Sequence, residues 1–590
     1  MRLWTSAVAA ERTCPAYLVE AGDGWREVSW READERIRAY ANGLLARGVR
    51  KGDAFALLAR NSLDWALLDF AFGLVGAVGI PIYASSSPKD VGYLLEHSEA
   101  VGIVCEDEEQ LAKVESVSSG LPNLRHELTF ADLAALAADG DELAPANPSA
   151  LDDASAAIGE DDLFTIIYTS GTTGPPKGCM ISHRNYFEMA GVVDRMPGYY
   201  RPGDVMLLYL PLAHNYGRLM HLLGAKVGFT IAFVPDPLRV GAALPQVRPT
   251  LFPSVPRVYE KLYSAVQARF DEATGAKRRL IEWALGVGRE VSKREAEGGR
   301  VPPTLHAKHR LADRLVFEKV REPLGGRLRL AGSGGAPLAK EIAEFFDAVG
   351  VRITEGYGLT ECTTACSANL PDRYRFGSVG QALPGFEIGI ADDGEILVRS
   401  ETVFQGYFKD PEATAAVLAP DGWLKTGDIG FLDEDGFLHI TDRKKDLIVT
   451  AGGKNVAPQN LENDLKTSKY VSQALVVGDR RPYVVALLTL DPEEVGRWAS
   501  EHGFDGDLAA LAGDERVREL VQGIVDDVNR DRSRYEQIKR FAIVPREFTT
   551  EEGEVTPTLK LRRRAVMEHF SAEIDALYAE PDRRAEDLGG

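Results

Sequence analysis

Apolar residues along the chain follow two rhythms. Short continuous runs at 54–58, 101–105, 163–167, 206–210 and 229–234 show no polar face and read as strands buried on both sides. Between many of them, apolar positions recur every three or four residues. Ile37, Ala41, Leu44 and Leu45 form one such stripe, opened by Ser29 with Glu32 as a capping box and closed near Gly48. Strands alternating with helices predict an α/β protein whose sheets are largely parallel. Residues 65–84 are mostly apolar, but Asp69, three glycines and Pro81 interrupt them. A buried helix to about Val75 followed by a strand near 77–83 fits this stretch better than a membrane span. Residues 261–321 are charged and helical in pattern, with a break near 298–303, and read as a helical excursion from the sheet.

From Gly385 the texture changes. Runs at 386–390, 395–399, 437–440 and 447–449 are divided by Asp-Gly pairs at Asp393, Asp421 and Asp435, which predicts a small β-rich subdomain. Beyond it lies a compact α+β region with strands at 474–477 and 483–490. Its late helix places Val566, Phe570, Ile574 and Leu577 on one face. The charged run 442–446 sets the boundary, giving a large N-terminal domain over 1–442 and a small C-terminal domain over 443–590.

Size and charge narrow the function. A chain of 590 residues exceeds one ordinary core, consistent with that division. A net charge of −21 argues against non-specific nucleic-acid binding, so any polyanion must meet locally concentrated lysine and arginine. Cys14, Cys105, Cys179, Cys362 and Cys366 match no zinc or haem spacing and point to a reducing, cytoplasmic compartment. No apolar signal core follows Met1.

The run Tyr168-Thr-Ser-Gly-Thr-Thr-Gly-Pro-Pro-Lys-Gly178 carries the strongest chemical signal. It follows a predicted strand and holds three glycines, four Ser/Thr hydroxyls and one lysine, and Ser182 beyond it can cap a helix from His183. Glycine lets backbone N–H groups approach oxygens, hydroxyls donate, and lysine supplies a point charge, all suited to a phosphate chain. It is not a Walker A loop, because Lys177 is followed by Gly178 and Cys179 rather than Ser or Thr. Taken alone it also reads as a surface turn.

Further clusters follow in order. They are Gly334-Gly-Ala-Pro337, Glu355-Gly-Tyr-Gly-Leu-Thr-Glu361, Thr426-Gly-Asp428, Asp442-Arg443 and Thr556-Pro-Thr-Leu-Lys560. Together with the glycine-threonine loop they resemble the superfamily of acyl-CoA synthetases, peptide-synthetase adenylation domains and firefly-type luciferases, over about residues 25–570. Pro211-Leu-Ala-His214, Arg248-Pro-Thr-Leu-Phe-Pro-Ser-Val-Pro-Arg257 with Val258-Tyr-Glu-Lys261, and Leu559-Lys-Leu-Arg-Arg563 resemble the bacterial long-chain fatty acyl-CoA synthetase branch most.

The resemblance implies two half-reactions and a mobile C-terminal domain. A carboxylate attacks the α-phosphate of ATP to give an acyl-adenylate and pyrophosphate, and the thiol of CoA then displaces AMP. It implies that Thr169, Ser170, Gly171, Thr172, Thr173, Gly174 and Lys177 cradle the β- and γ-phosphates. Gly335, Ala336 and Pro337 would line the adenine pocket, with Tyr357 stacked on the base. Thr360 would contact phosphate, Glu361 would hold Mg²⁺, Asp428 would accept from both ribose hydroxyls, and Arg443 would reach the ribose or phosphate. Lys445 occupies the hinge position. Lys560 would bridge the acid and the α-phosphate, and would swing away when Gly452 and Gly453 line the pantetheine channel. His214 falls beside the acyl carboxylate, where a structural histidine is an equal reading. The residues after it, Asn215-Tyr-Gly-Arg218, depart from the branch and leave the acyl tail open.

Singly, several of these residues have plainer readings: Lys560 a solvated charge beside Arg562, Asp428 a turn aspartate, Tyr357 a core residue. Their shared order favours a fatty acid–CoA ligase using ATP, Mg²⁺ and CoA. It is expected as a monomer or homodimer, without nucleic acid or a transmembrane segment, and compatible with peripheral membrane contact. The rivals are an acyl-AMP ligase that loads a carrier protein and a non-catalytic nucleotide-binding scaffold. The compact run 442–454 favours CoA as acceptor, and the joint presence of Lys177, Glu361, Asp428, Arg443 and Lys560 disfavours the scaffold.

Overall fold

Two large, mainly parallel sheets form the body of the protein, seen in a computed structural model that describes residues 2–22, 24–169, 175–530, 532–556 and 560–579. Ser170, Gly171, Thr172, Thr173 and Gly174 of the predicted phosphate loop lie outside the described residues, as do residues 557–559 just before Lys560.

The first sheet has six strands in the order His126–Thr129, Gly102–Cys105, Ala54–Leu58, Val78–Ile82, Leu163–Thr169 and Lys177–Ser182. Five run parallel and the last returns antiparallel to Leu163–Thr169. Ala54–Leu58 and Val78–Ile82 are buried at every position, which is why they read as unbroken apolar runs. The return strand Lys177–Ser182 was not anticipated. Its Lys-Gly-Cys-Met-Ile-Ser composition lacks a clean alternation, and its pairing with the preceding strand is what makes it a strand. Ser182 then caps the helix His183–Gly191 as expected, accepting from the N–H of Asn185.

The second sheet has nine strands, with Ile353–Tyr357, Leu330–Ser333, Leu251–Ser254, Val205–Leu208, Thr230–Phe233 and Tyr17–Ala21 parallel at its centre. Helices pack these sheets. Leu63–Val75 starts at Ser62, which accepts from the N–H of Trp65, and stops at Gly76, whose φ of +76° favours glycine. The apolar stretch 65–84 is thus a buried helix followed by the buried strand Val78–Ile82. Among the described residues no helix is long and apolar enough to cross a membrane. The helix Trp30–Ala46 begins at Ser29, but only half of the expected capping box forms: Ser29 accepts from the N–H of Glu32, while the Glu32 carboxylate pairs with Arg26 at 2.8 Å.

The β-rich subdomain is a four-stranded antiparallel sheet, Glu387–Ile390, Glu395–Arg399, Leu424–Leu432 and Leu438–Arg443. Beyond it the smaller C-terminal domain packs helices on a three-stranded sheet, Val471–Val477, Val484–Leu490 and Ile538–Val544. The late apolar face belongs to two helices, Arg563–His569 and Ser571–Ala579, which meet at Phe570. The buried apolar clusters separate across this stretch: those of the large domain end at Leu438, and those of the C-terminal domain start at Ile448.

The two domains meet along the helix Pro256–Asp271. Arg257 donates to the Ser472 carbonyl at 2.7 Å, Lys466 Nζ lies 3.1 Å from Glu260, and Lys469 Nζ lies 2.7 Å from Asp271. The sequence phrase around Arg257 and Glu260 is therefore built into the contact between domains.

Candidate active site

The carboxyl ends of parallel strands converge on one cavity, where open α/β sheets usually take their ligands. Its volume is about 1080 Å³. Thr169 closes the strand Leu163–Thr169, Gly335 follows Leu330–Ser333, and Thr360 and Glu361 follow Ile353–Tyr357, all on its wall. Asp428, Arg443 and Lys445 enter from the β-rich sheet and the segment after it, and Lys560 enters from the C-terminal domain. Lys177, Arg443, Lys445 and Lys560 thus concentrate positive charge in a chain of net charge −21.

At the polar end, Asp428 is buried and accepts a hydrogen bond from the Tyr357 hydroxyl at 2.6 Å. Arg443 Nε lies 3.4 Å from the other Asp428 oxygen. Lys445 is exposed at the cavity wall, and partial desolvation by the surrounding protein first, then the neighbouring Arg443 charge, lower its pKa. Glu361 accepts from the Tyr407 hydroxyl at 2.8 Å. Lys177 Nζ stands 5.1 Å from the centre of the Tyr407 ring and 3.9 Å from Asp410. Among the described residues no group of three or more His, Cys, Asp or Glu could cage a metal by itself.

Lys560 precedes Leu561, which forms an antiparallel bridge with Val555, and the Lys560 N–H donates to Thr556 Oγ1 at 3.0 Å. Its side chain lies against Gly335, whose φ of +83° favours glycine and where a Cβ would stand 3.7 Å from Lys560 Cε. Burial, with the Arg443 charge, lowers the Lys560 pKa to about 8, only partly offset by Asp428 and Glu361.

His214 caps the helix Asn215–Leu223, and its Nδ1 accepts from the Tyr216 N–H at 3.1 Å. Burial, with a smaller push from Lys560, lowers its pKa to about 3, so the ring is neutral. An Nδ1 that accepts leaves the proton on Nε2. The cavity wall also carries an apolar set, Met189, Val193, Met206, Leu219, Met220 and Leu223. The departing segment divides its residues. Asn215 and Tyr216 line the cavity, whereas Arg218 turns into the protein and pairs with Asp69.

Not every expected residue reaches the cavity. Ala336 is exposed and Pro337 is partly so, and of that trio only Gly335 is on the wall. Gly452 and Gly453 are exposed in the turn joining Ile448–Val449 to Asn455–Val456, away from the cavity. Tyr407 was missed. Its Gly406-Tyr-Phe-Lys-Asp-Pro411 setting reads as a turn, and only the fold brings it to Glu361 and Lys177.

Comparison with known proteins agrees with this geometry. Residues 5–408 match the AMP-binding enzyme family, and residues 445–582 match the AMP-binding enzyme C-terminal domain. The chain is 40% identical over 576 residues to the long-chain-fatty-acid–CoA ligase FadD15 of Mycobacterium bovis, covering 96% of this chain and 95% of that protein. It is 34% identical over 597 residues to the peroxisomal long chain acyl-CoA synthetase 7 of Arabidopsis thaliana, covering 94% of this chain and 82% of that protein. Among solved structures, the adenylation domain of a carboxylate reductase from Mycobacterium chelonae superposes with a TM-score of 0.76 at 25% identity, covering 98% of this chain and 90% of that one.

Proposed function

The chain belongs to the AMP-binding enzyme family, and on that footing we propose that it is an ATP-dependent fatty acid–CoA ligase acting through an acyl-adenylate. The observation that carries this reading is the composition of a single cavity. Lys560 from the C-terminal domain comes near His214, Glu361 and Asp428, and the same cavity wall carries an apolar set of methionine, valine and leucine side chains. Similarity along 96% of the chain, at 39–40% identity, to proteins named long-chain-fatty-acid–CoA ligases supports the acid class.

In this reading the acid's tail lies among Met206, Leu219 and Met220, and its carboxylate lies near His214. Neutral His214 donates from Nε2 and so orients the carboxylate without neutralising it. Tyr357, tied to Asp428 through its hydroxyl, keeps its ring fixed beside the nucleoside, and Asp428 accepts from the ribose. Lys177, with Thr169 and the residues 170–174, holds the pyrophosphate end. Lys560 neutralises charge that grows on the α-phosphate as the acid oxygen attacks and pyrophosphate departs. Glu361 and Thr360 suit Mg²⁺ held jointly with phosphate oxygens, since one carboxylate beside a hydroxyl leaves room for the waters that magnesium retains. Bound there, the ion would neutralise phosphate charge.

Lys560 within the cavity and Gly452 and Gly453 at the surface suit the adenylating orientation, with the domains divided at 442/443 and hinged near Lys445. Thioester formation then requires the C-terminal domain to turn and bring Gly452 and Gly453 to the CoA channel. Free cysteines throughout the described residues fit a cytoplasmic setting.

A panel of carboxylic acids tests the reading. Pyrophosphate and AMP should form only with a fatty acid present, and mass spectrometry should find the acyl-CoA thioester when CoA is added. Accumulated acyl-adenylate without thioester would transfer the role to carrier-protein loading. No pyrophosphate from any acid would leave a nucleotide-binding scaffold.

The contacts along Pro256–Asp271 give a separate expectation. Lys466→Glu, which opposes Glu260, should slow adenylation about tenfold, the value of one charged hydrogen bond. Thioester formation from supplied acyl-adenylate should keep its rate, and adding Glu260→Lys should restore adenylation. Equal slowing of both half-reactions would remove these contacts from orientation control.

A further inference from the structure

Residues 404–408 form a strap across the phosphate side of the cavity. The N–H of Gln405 donates to Met180 O at 3.0 Å, the N–H of Met180 to Gly406 O at 3.0 Å, and the N–H of Phe408 to Gly178 O at 2.8 Å. The strap is thereby paired to the strand Lys177–Ser182 that follows the phosphate loop. Its other tie runs to the Thr360–Cys362 turn, where the N–H of Phe404 donates to the Glu361 carbonyl at 2.8 Å. Tyr407 lies between the two. It is 9% exposed, its hydroxyl donates to Glu361 Oε1 at 2.8 Å, and the Lys177 ammonium stands 5.1 Å from its ring centre.

We infer that Tyr407 is a positioning residue that sets the Glu361 carboxylate for the metal and, through its ring, the Lys177 ammonium for the phosphates. This rests on the reading of Glu361 as the magnesium ligand. A carboxylate on a short turn can rotate about its last torsion, and the hydrogen bond to Oε1 restrains that rotation for a residue that lines the cavity. The ring offers its face to the Lys177 ammonium at 5.1 Å; the lysine side chain is 41% exposed, so the cation–π attraction orients it modestly. Partners of ligating carboxylates typically matter about 10–100-fold for metal affinity.

The test compares Mn²⁺ binding, read by electron paramagnetic resonance, in the full-length protein with an ATP analogue carrying a methylene between the α and β phosphorus atoms. Tyr407→Phe keeps the ring and removes the hydroxyl. It should weaken Mn²⁺ binding about tenfold and raise the Mg²⁺ needed for pyrophosphate release by the same factor. Analogue affinity without metal should stay unchanged. Tyr407→Leu also removes the ring and should weaken metal-free analogue binding as well. Wild-type Mn²⁺ affinity in Tyr407→Phe would overturn the link to Glu361, and wild-type analogue affinity in Tyr407→Leu would overturn the link to Lys177. Glu361→Gln separates the two levels. If it leaves Mn²⁺ affinity intact, the metal reading itself fails; if it weakens Mn²⁺ binding while Tyr407→Phe does not, only the positioning role fails.

Discussion

Replacing Lys560 with alanine should slow acyl-adenylate formation by about 10²–10³-fold, the usual cost of removing one preorganised group aimed at charge in a transition state. The loss should fall on kcat and not on ATP affinity, because Lys177, Asp428 and Tyr357 still hold the nucleotide. Thioester formation from supplied acyl-adenylate and CoA should survive, since Lys560 belongs to the orientation in which the first step occurs. Comparable losses in both half-reactions would contradict this assignment. The same side chain sets a pH limit. An exposed lysine keeps its charge to well above pH 9, whereas burial beside Arg443 lowers Lys560 to about 8. Lys560 works as a cation, so kcat/KM for ATP should fall as pH rises through about 8, and Lys560→Arg should lose that limb because guanidinium stays charged. An unchanged alkaline limb in Lys560→Arg would assign it to another group.

The architecture was legible where burial acts on both faces of an element. Strands such as Ala54–Leu58 leave continuous apolar runs, and the interrupted helices after Lys261 leave a helical period and a Gly-Pro break. Elements whose existence depends on a partner were not legible. Lys177–Ser182 is a strand because Leu163–Thr169 lies beside it, and Ile538–Val544 completes the C-terminal sheet in the same way. The same division applies to the site. Thr169, Lys177, Glu361, Asp428 and Lys560 stand in clusters that resemble a family, and the fold gathers them in one cavity. Tyr407 acts across the fold, 46 residues from Glu361 in sequence, and no local pattern marks it. Ala336, Pro337, Gly452 and Gly453 lie off the wall. The last two are exposed on the C-terminal domain, which in this structure places Lys560 on the cavity wall.

Asp69→Ala should destabilise the protein by about 3–5 kcal/mol, the cost of leaving one member of a buried ion pair alone. Asp69 is 2% exposed and Arg218 1%, and Arg218 Nε donates to Asp69 Oδ2 at 3.0 Å while its Nη1 donates to Thr165 Oγ1 at 2.6 Å. The Phe164 ring covers the guanidinium at 4.6 Å. The two single losses should differ. Arg218 cannot shed its proton, so Asp69→Ala strands a permanent charge. Asp69 can take up a proton, and burial already raises its pKa against the pull of Arg218, so Arg218→Met should cost less and recover toward pH 5. The double variant Asp69→Leu with Arg218→Met should regain most of the stability, as apolar replacements of buried pairs generally do. Urea midpoints at pH 5 and pH 8 decide the matter, and equal, pH-independent losses in the two single variants would refute it. The consequence reaches the site because Arg218 shares its helix with the acyl wall. Asn215, Tyr216, Leu219, Met220 and Leu223 line the cavity from Asn215–Leu223, while Arg218 fastens that helix to the strand Leu163–Thr169 that leads into the phosphate loop. A single buried contact therefore joins the surface that measures the acid to the surface that holds the nucleotide. The double variant, stable but without this tie, should show a broadened acyl-length preference with ATP affinity retained.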